Sequence, residues 1–229
     1  MAKILFGAGV GDARGSVGSA TFTKGRNGAV LRTKVSPVQP RSPNVMAIRA
    51  FFQTLSKNWA NTLTDAERAG WNALAAVTSY VNSFGNTYHP TGLQLYQGCN
   101  RNLQLLGAPL ISAAPDNLDV DTPLTLTVTA DSDPQTLSAA YTATPVPADH
   151  SICFDMTPQV NRGRSFMGSN FKFINSYGPA TASPADLLSL YTAKFGALRA
   201  GQKLTTRCWL INQVNGAASQ EITAVSTVL

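Results

Sequence analysis

The sequence has little charge. Asp, Glu, Lys and Arg make up 13% of its 229 residues, about half of the roughly 25% usual in a soluble domain. Hydrophobic residues reach 44%, so the chain has the material for a packed core and does not belong with broadly disordered sequences. A surface this short of charge is suited to being covered by other protein. Cysteine is scarce as well. Cys99, Cys153 and Cys208 are far apart, odd in number and without CxxC spacing, which argues against a disulfide framework and a zinc site and leaves them as small buried hydrophobes. No apolar window approaches the ~20 residues that cross a bilayer. The run Met1 to Val10 is interrupted by Gly7 and Gly9 before it reaches the length of a signal-peptide core, so the protein is expected to be made and kept in the cytoplasm of the cell that expresses it, unless it leaves by lysis.

Residues for catalysis are also few. His89 and His150 are the two histidines, and neither has Cys or Glu at ligand spacing; Asp149 beside His150 points away from it in a strand. Gly7-Ala8-Gly9-Val10-Gly11-Asp12 misses the third glycine of a dinucleotide loop and carries Asp12 where an anion would sit. Ser165, between Gly163 and Gly168, misses the nucleophile-elbow spacing, and Asp65 and Glu67 are accounted for by a helix cap. The expectation is therefore a protein that is not an enzyme and has no catalytic residue, metal or cofactor.

What is present is unevenly distributed. The net charge of +6 is dominated by the first sixty residues, where nine Lys and Arg stand against Asp12 alone. Residues 111–160 hold seven Asp and no Lys or Arg. Such asymmetry suits a nucleic-acid contact or head-to-tail packing of copies. The basic residues of the head are spaced singly among Gly and apolar residues, which favours strand pairing with neighbours over phosphate binding. Arg162, Arg164, Phe166, Phe171, Lys172 and Phe173 interleave cations and rings as a single-strand stacking platform would. The simpler reading is a strand with Phe171 and Phe173 turned inward.

Three regions follow from the pattern. Residues 1–43 contain seven of the eighteen glycines and read as an extended basic arm, reaching at most about 140 Å at ~3.3 Å per residue. Its β-like pieces, Ala20 to Thr23 and Ala29 to Val35, need a partner, and Arg26-Asn27-Gly28 is a hairpin signal. The arm residues expected to contact a neighbour are Arg14, Phe22, Lys24, Arg26, Leu31, Arg32 and Lys34. Residues 44–109 read as a helical unit. Ile48, Phe51, Phe52, Leu55 and Trp59 share one face of a helix over about 44–60, capped by Ser42 or Asn44. Thr64-Asp65-Ala66-Glu67 is a capping box that starts a second helix carrying Trp71, Leu74 and Ala75. A third helix, Leu93 to Leu106, carries Leu95, Tyr96, Cys99 and Leu103 and ends at Gly107. Phe52, Leu55, Trp59 and Trp71 are expected to form its core. Residues 110–229 alternate as strands at Leu124–Thr129, Leu137–Thr142, Ser151–Met156, Asn170–Ile174, Lys203–Val214 and Ser219–Val228, with one helical insert, Ala185–Phe195. This describes a β-sandwich of the immunoglobulin or fibronectin type III kind within an α+β chain.

The order of features carries a resemblance. Gly15-Ser16-Val17-Gly18, Phe22, Gly28 and Arg32 are followed by Pro40-Arg41-Ser42-Pro43, Arg49, Phe51 and Trp59-Ala60-Asn61-Thr62-Leu63-Thr64-Asp65-Ala66-Glu67-Arg68-Ala69-Gly70-Trp71. This resembles a group of uncharacterised tailed-bacteriophage virion proteins, in which a glycine-rich arm precedes an R..F..L...W..LT..ER..W helical pair. The stretch with Tyr191-Thr192-Ala193-Lys194-Phe195-Gly196 is similar to the sandwich that follows in them. The resemblance implies a structural role in the virion after synthesis in the host cytoplasm. Expected partners are copies of the chain and other virion proteins, either the major capsid protein, as decoration or cement, or tail, neck and connector proteins. Binding of the packaged genome is a further alternative, and no membrane contact is expected.

Overall fold

In a computed structural model, residues 2–5, 7, 10, 12–26, 28–34, 39, 41–142, 144–164 and 170–229 are described. They form a mixed structure with four helices and several antiparallel sheets. The chain divides into two compact units, residues 1–98 with 112–116 and residues 99–111 with 117–229. No described helix is long and apolar enough to cross a membrane.

The first unit opens with strands β1 (Ala2–Ile4), β2 (Gly15–Val17), β3 (Ala20–Gly25) and β4 (Gly28–Thr33), joined antiparallel in the order β1-β4-β3-β2. This corrects the expectation of an extended arm, because the strands find partners within the segment itself. The reason is local. The β2–β3 connection is Gly18-Ser19, with Gly18 at φ +56, a left-handed value that a tight reversal needs and glycine adopts freely. The β3–β4 connection is equally short, with Gly25 opposite Gly28; Asn27, Val35 and Phe166 lie outside the described residues.

Helix α1 (Pro43–Asn61) follows. Ser42 is its N-cap in extended conformation but makes no side-chain cap bond. Leu55 is buried, Phe51, Phe52 and Trp59 are half-buried, and Ile48 is 43% exposed. The apolar stripe is thus covered at its C-terminal half, and Ile48, on the same face, is left exposed. Helix α2 (Asp65–Val77) begins with the reciprocal box: Glu67 N–H donates to Thr64 Oγ1 (3.2 Å) and Thr64 N–H to Glu67 Oε2 (2.7 Å). After a two-stranded hairpin, β5 (Tyr80–Val81) and β6 (Thr87–Tyr88), comes α3 (Gly92–Leu106). A second capping box, Thr91 with Gln94, starts α3, and sequence reasoning missed it. Trp71 and Leu55 are fully buried, and Tyr96 stands between Trp59 and Trp71 at centroid distances of 5.7 and 5.6 Å. Trp71 Nε1 donates to the Ser112 carbonyl at 2.7 Å.

The division between units falls within α3. In the second unit β7 (Thr125–Ser132), β8 (Gln135–Thr142) and the short β11 (Ala185–Asp186) form one sheet. The other contains β9 (His150–Met156), β10 (Lys172–Tyr177), β12 (Lys203–Asn212) and β13 (Ile222–Thr227), in the order β10-β9-β12-β13. One hydrophobic core draws on both, including Val128, Leu137, Tyr141, Phe154, Met156, Leu204 and Leu210. Helix α4 (Leu188–Phe195) places the fully buried Tyr191 in the same core. The helix starts later than the sequence pattern suggests, since Ala185 and Asp186 pair with β8 instead. Likewise β12 ends at Asn212, and Val214 is 64% exposed in the turn beyond it. Gly216 in that turn, at φ +70, lies so close to Cys99 that a Cβ would meet the Cys99 carbonyl oxygen at 2.2 Å, and Asn102 Nδ2 donates to its carbonyl.

Candidate interaction surfaces

Register assigns the faces of the N-terminal sheet, because residues directly opposite across an antiparallel pair share a face. Phe22 stands opposite Leu31, Val17 opposite Ala20 and Ile4 opposite Ala29, which gives one apolar face. Lys24, opposite Ala29, lies at its end. The reverse face pairs Lys3 with Val30 and Arg32 with Thr21, and Lys34 continues it one step beyond Arg32. No side chain described between residues 3 and 34 is buried.

The arm residues singled out in sequence therefore separate. Phe22, Leu31 and Lys24 belong to the apolar face, Arg32 and Lys34 to the basic one. Arg14 and Lys24 both approach Asp12, at 3.7 and 3.3 Å. Arg26 is turned inward on its own chain, with Nη1 donating to the Pro90 carbonyl at 2.8 Å and the His89 carbonyl at 3.4 Å. It fastens the β3–β4 turn to the entry of α3 and is not displayed to a neighbour through that nitrogen. Beside it is a cavity of about 540 Å³ lined by Gly25, Arg26, Tyr80, Tyr88, Pro90, Thr91 and Gln94. Thr91 and Gln94 are committed to the α3 cap there.

In the second unit the outward face of the β9–β12 pair holds a charge cluster. Arg207 lies opposite Asp155 and donates to Asp155 Oδ2 from Nε (3.0 Å) and Nη2 (2.6 Å). Its third nitrogen reaches Glu221 at 2.8 Å. Its guanidinium stands 4.5 Å from the Phe171 ring centroid and 5.7 Å from that of Trp209. Asp155 is 6% exposed, and its Oδ1 has no hydrogen-bond partner among the described residues. Sequence reasoning missed this cluster, since its members are separated by up to 66 positions from Asp155 to Glu221 and nothing local marks them. Of the residues considered as a stacking platform, Phe171 is engaged by Arg207, and Lys172 lies over Phe195 at 5.4 Å.

Other sequence candidates have plain structural roles. His89 Nδ1 contacts the Thr78 carbonyl and His150 Nδ1 the Ala148 carbonyl, both at 2.7 Å. Cys99, Cys153 and Cys208 are unbonded and buried, and burial pushes each thiol up to about 12, so none is a thiolate near neutrality. Among the described residues no group of His, Cys, Asp and Glu is placed to hold a metal ion.

The chain matches no known protein family and no curated protein. Among solved structures it is similar to a Fn3-like protein from Clostridium thermocellum, with 14% identity and a TM-score of 0.30 over 48% of this chain and 93% of the other.

Proposed function

We propose that this chain is a structural protein of a tailed-bacteriophage virion, assembled in many copies on the capsid as decoration or cement through its N-terminal segment. The observation that carries the reading is the N-terminal sheet, which has paired strands, an apolar and a basic face, and no buried side chain described between residues 3 and 34. Small sheets draw stability from a covered hydrophobic face, so this one gains most when a neighbour lies against it. The ordered motifs of the arm and helical pair support the virion setting. In the second unit, alternating strands in two sheets about one core support a sandwich of the immunoglobulin or fibronectin type III kind, a stiff body for the segment to fasten. The reading gives the chain no catalytic role and no cofactor.

The test is deletion of residues 1–43 in a phage that carries the gene, with labelled protein imaged on particles. We expect the shortened protein to keep the cooperative unfolding of its second unit and to be absent from particles. Normal incorporation without residues 1–43 would overturn the role of the segment. Label on the tail or neck would move the protein to those structures, and label inside the particle on packaged DNA would favour the genome-binding alternative.

A further inference from the structure

We infer that the basic face of the N-terminal sheet docks on the acidic loop end of the second unit of another copy. The inference rests on the reading of the chain as a multi-copy structural protein and names the partner of its N-terminal segment.

The docking face carries Lys3, Arg32 and Lys34 around Val30, Thr21 and Thr23. Arg32 and Lys34 are exposed, and none of the three cations makes an ion pair among the described residues. The complementary surface is assembled at one end of the second unit by hydrogen bonds between loops. Leu124 N–H donates to Thr142 O, Gln213 N–H to Asp149 O and Ala180 N–H to Val146 O, and Asn215 Nδ2 donates to Asn117 O. These bonds gather residues 117–124, 142 with 144–150, 178–181 and 212–218. The four loops carry exposed Asp119, Asp121 and Asp149 and contain no Lys or Arg. Arg101, on the helical segment that meets Gly216, is directed to Gln104 Oε1. The same end exposes Leu124 (83%) and Val214 (64%), apolar side chains that Val30 and the threonine methyls can cover.

Three carboxylates amid exposed apolar residues thus match three cations around a valine. Docking of one basic sheet on another is disfavoured because it would set like charges opposite each other. Sheet-to-loop contact is heterologous, so copies add head to tail and close into rings or tile a surface. Nucleic acid fits the sheet less well, because three cations spread over two strands would neutralise few phosphates.

The experiment uses the full chain and two charge-reversed forms. One carries Lys3→Glu, Arg32→Glu and Lys34→Glu; the other carries Asp119→Lys, Asp121→Lys and Asp149→Lys. Association is read by analytical ultracentrifugation, and folding by the thermal midpoint. We expect the wild type to self-associate with increasing concentration and each variant alone to associate at least about tenfold more weakly. An equimolar mixture of the two variants should recover association, because reversed sheet then meets reversed loops. A wild type that stays monomeric at its highest soluble concentration overturns the inference. So does a mixture that fails to recover. A third form carrying all six reversals that regains the wild-type thermal midpoint while the mixture does not associate shows a contact within a single molecule and also overturns it, as does steep salt-dependent DNA binding lost in the first variant without any change in self-association. The virion reading fails separately, if the wild-type protein is absent from particles.

Discussion

Two four-stranded antiparallel sheets in this chain are alike in hydrogen bonding and opposite in burial. In the N-terminal sheet the strands are three to six residues long and no side chain described there is buried. In the sheet built on β9 and β12 the central strand β9 is buried on both faces. Ile152, Phe154 and Met156 point to the shared core, while Ser151, Cys153 and Asp155 are covered on the reverse. Backbone pairing alone exchanges water bonds for protein bonds at a small net gain. Apolar burial, at about 25 cal/mol per Å², is what distinguishes the two. The second sheet buries its own core, whereas the first leaves every side chain described in it at least partly exposed.

The comparison can be broken by substitution. The largest loss is expected at Phe154, fully buried between Tyr141 and Tyr177: Phe154→Ala should cost about 3–5 kcal/mol in denaturant unfolding. Trp71→Ala belongs in the same range, and Trp59→Ala, half-buried, should cost less. Next comes Arg207→Ala, which leaves the Asp155 carboxylate buried without its partner and should cost about 3 kcal/mol. Most of that loss should be recovered in the double variant Asp155→Leu with Arg207→Met. A double variant as unstable as the single one would show that the cluster contributes packing and not charge.

Thr64→Ala removes the α2 cap and should lower stability by about 1 kcal/mol. It should also flatten an acid limb in part, since alanine keeps the backbone donor and loses only the hydroxyl. The backbone and then the side-chain hydrogen bond from Thr64 hold the Glu67 carboxyl below its ordinary value. The stabilisation from the ionised group is therefore present above the ordinary carboxyl range and is lost as pH falls through the lowered value. Thermal midpoints measured against pH check the sign. The smallest effect is expected from Phe22→Ala, at most about 1 kcal/mol in the isolated protein, because its neighbourhood is only half covered. A loss as great as that of Phe154→Ala would mean that the N-terminal sheet is covered within the single chain.

Legibility followed the range of the interactions. The Thr64–Glu67 box, the aromatic face with Trp71 and Leu74, and the glycine stop of α3 were readable because each is settled within a few residues. The strands of the second unit were readable from their alternation, with ends displaced where a turn intervened, as at Val214. Ile48 lies on the apolar face and is exposed all the same, because periodicity states which face is apolar and not how far along the helix a neighbour extends. The arm misled because glycine density suggested strands that need a partner from outside, whereas Gly18, Gly25 and Gly28 sit at the reversals that let these short strands pair with one another.

Sequence by itself determined the local elements and the separation of charge, a basic head and an acidic middle, since caps, turns and composition act over a few residues. Tertiary structure decided which side chains meet. It turned Arg26 toward the carbonyls of His89 and Pro90 and set Tyr96 between Trp59 and Trp71. It brought Asp155, Phe171, Arg207 and Glu221 together and gathered Asp119, Asp121 and Asp149 at one end of the second unit. These are contacts between distant positions, fixed by strand register and packing, and no short stretch of sequence contains both partners.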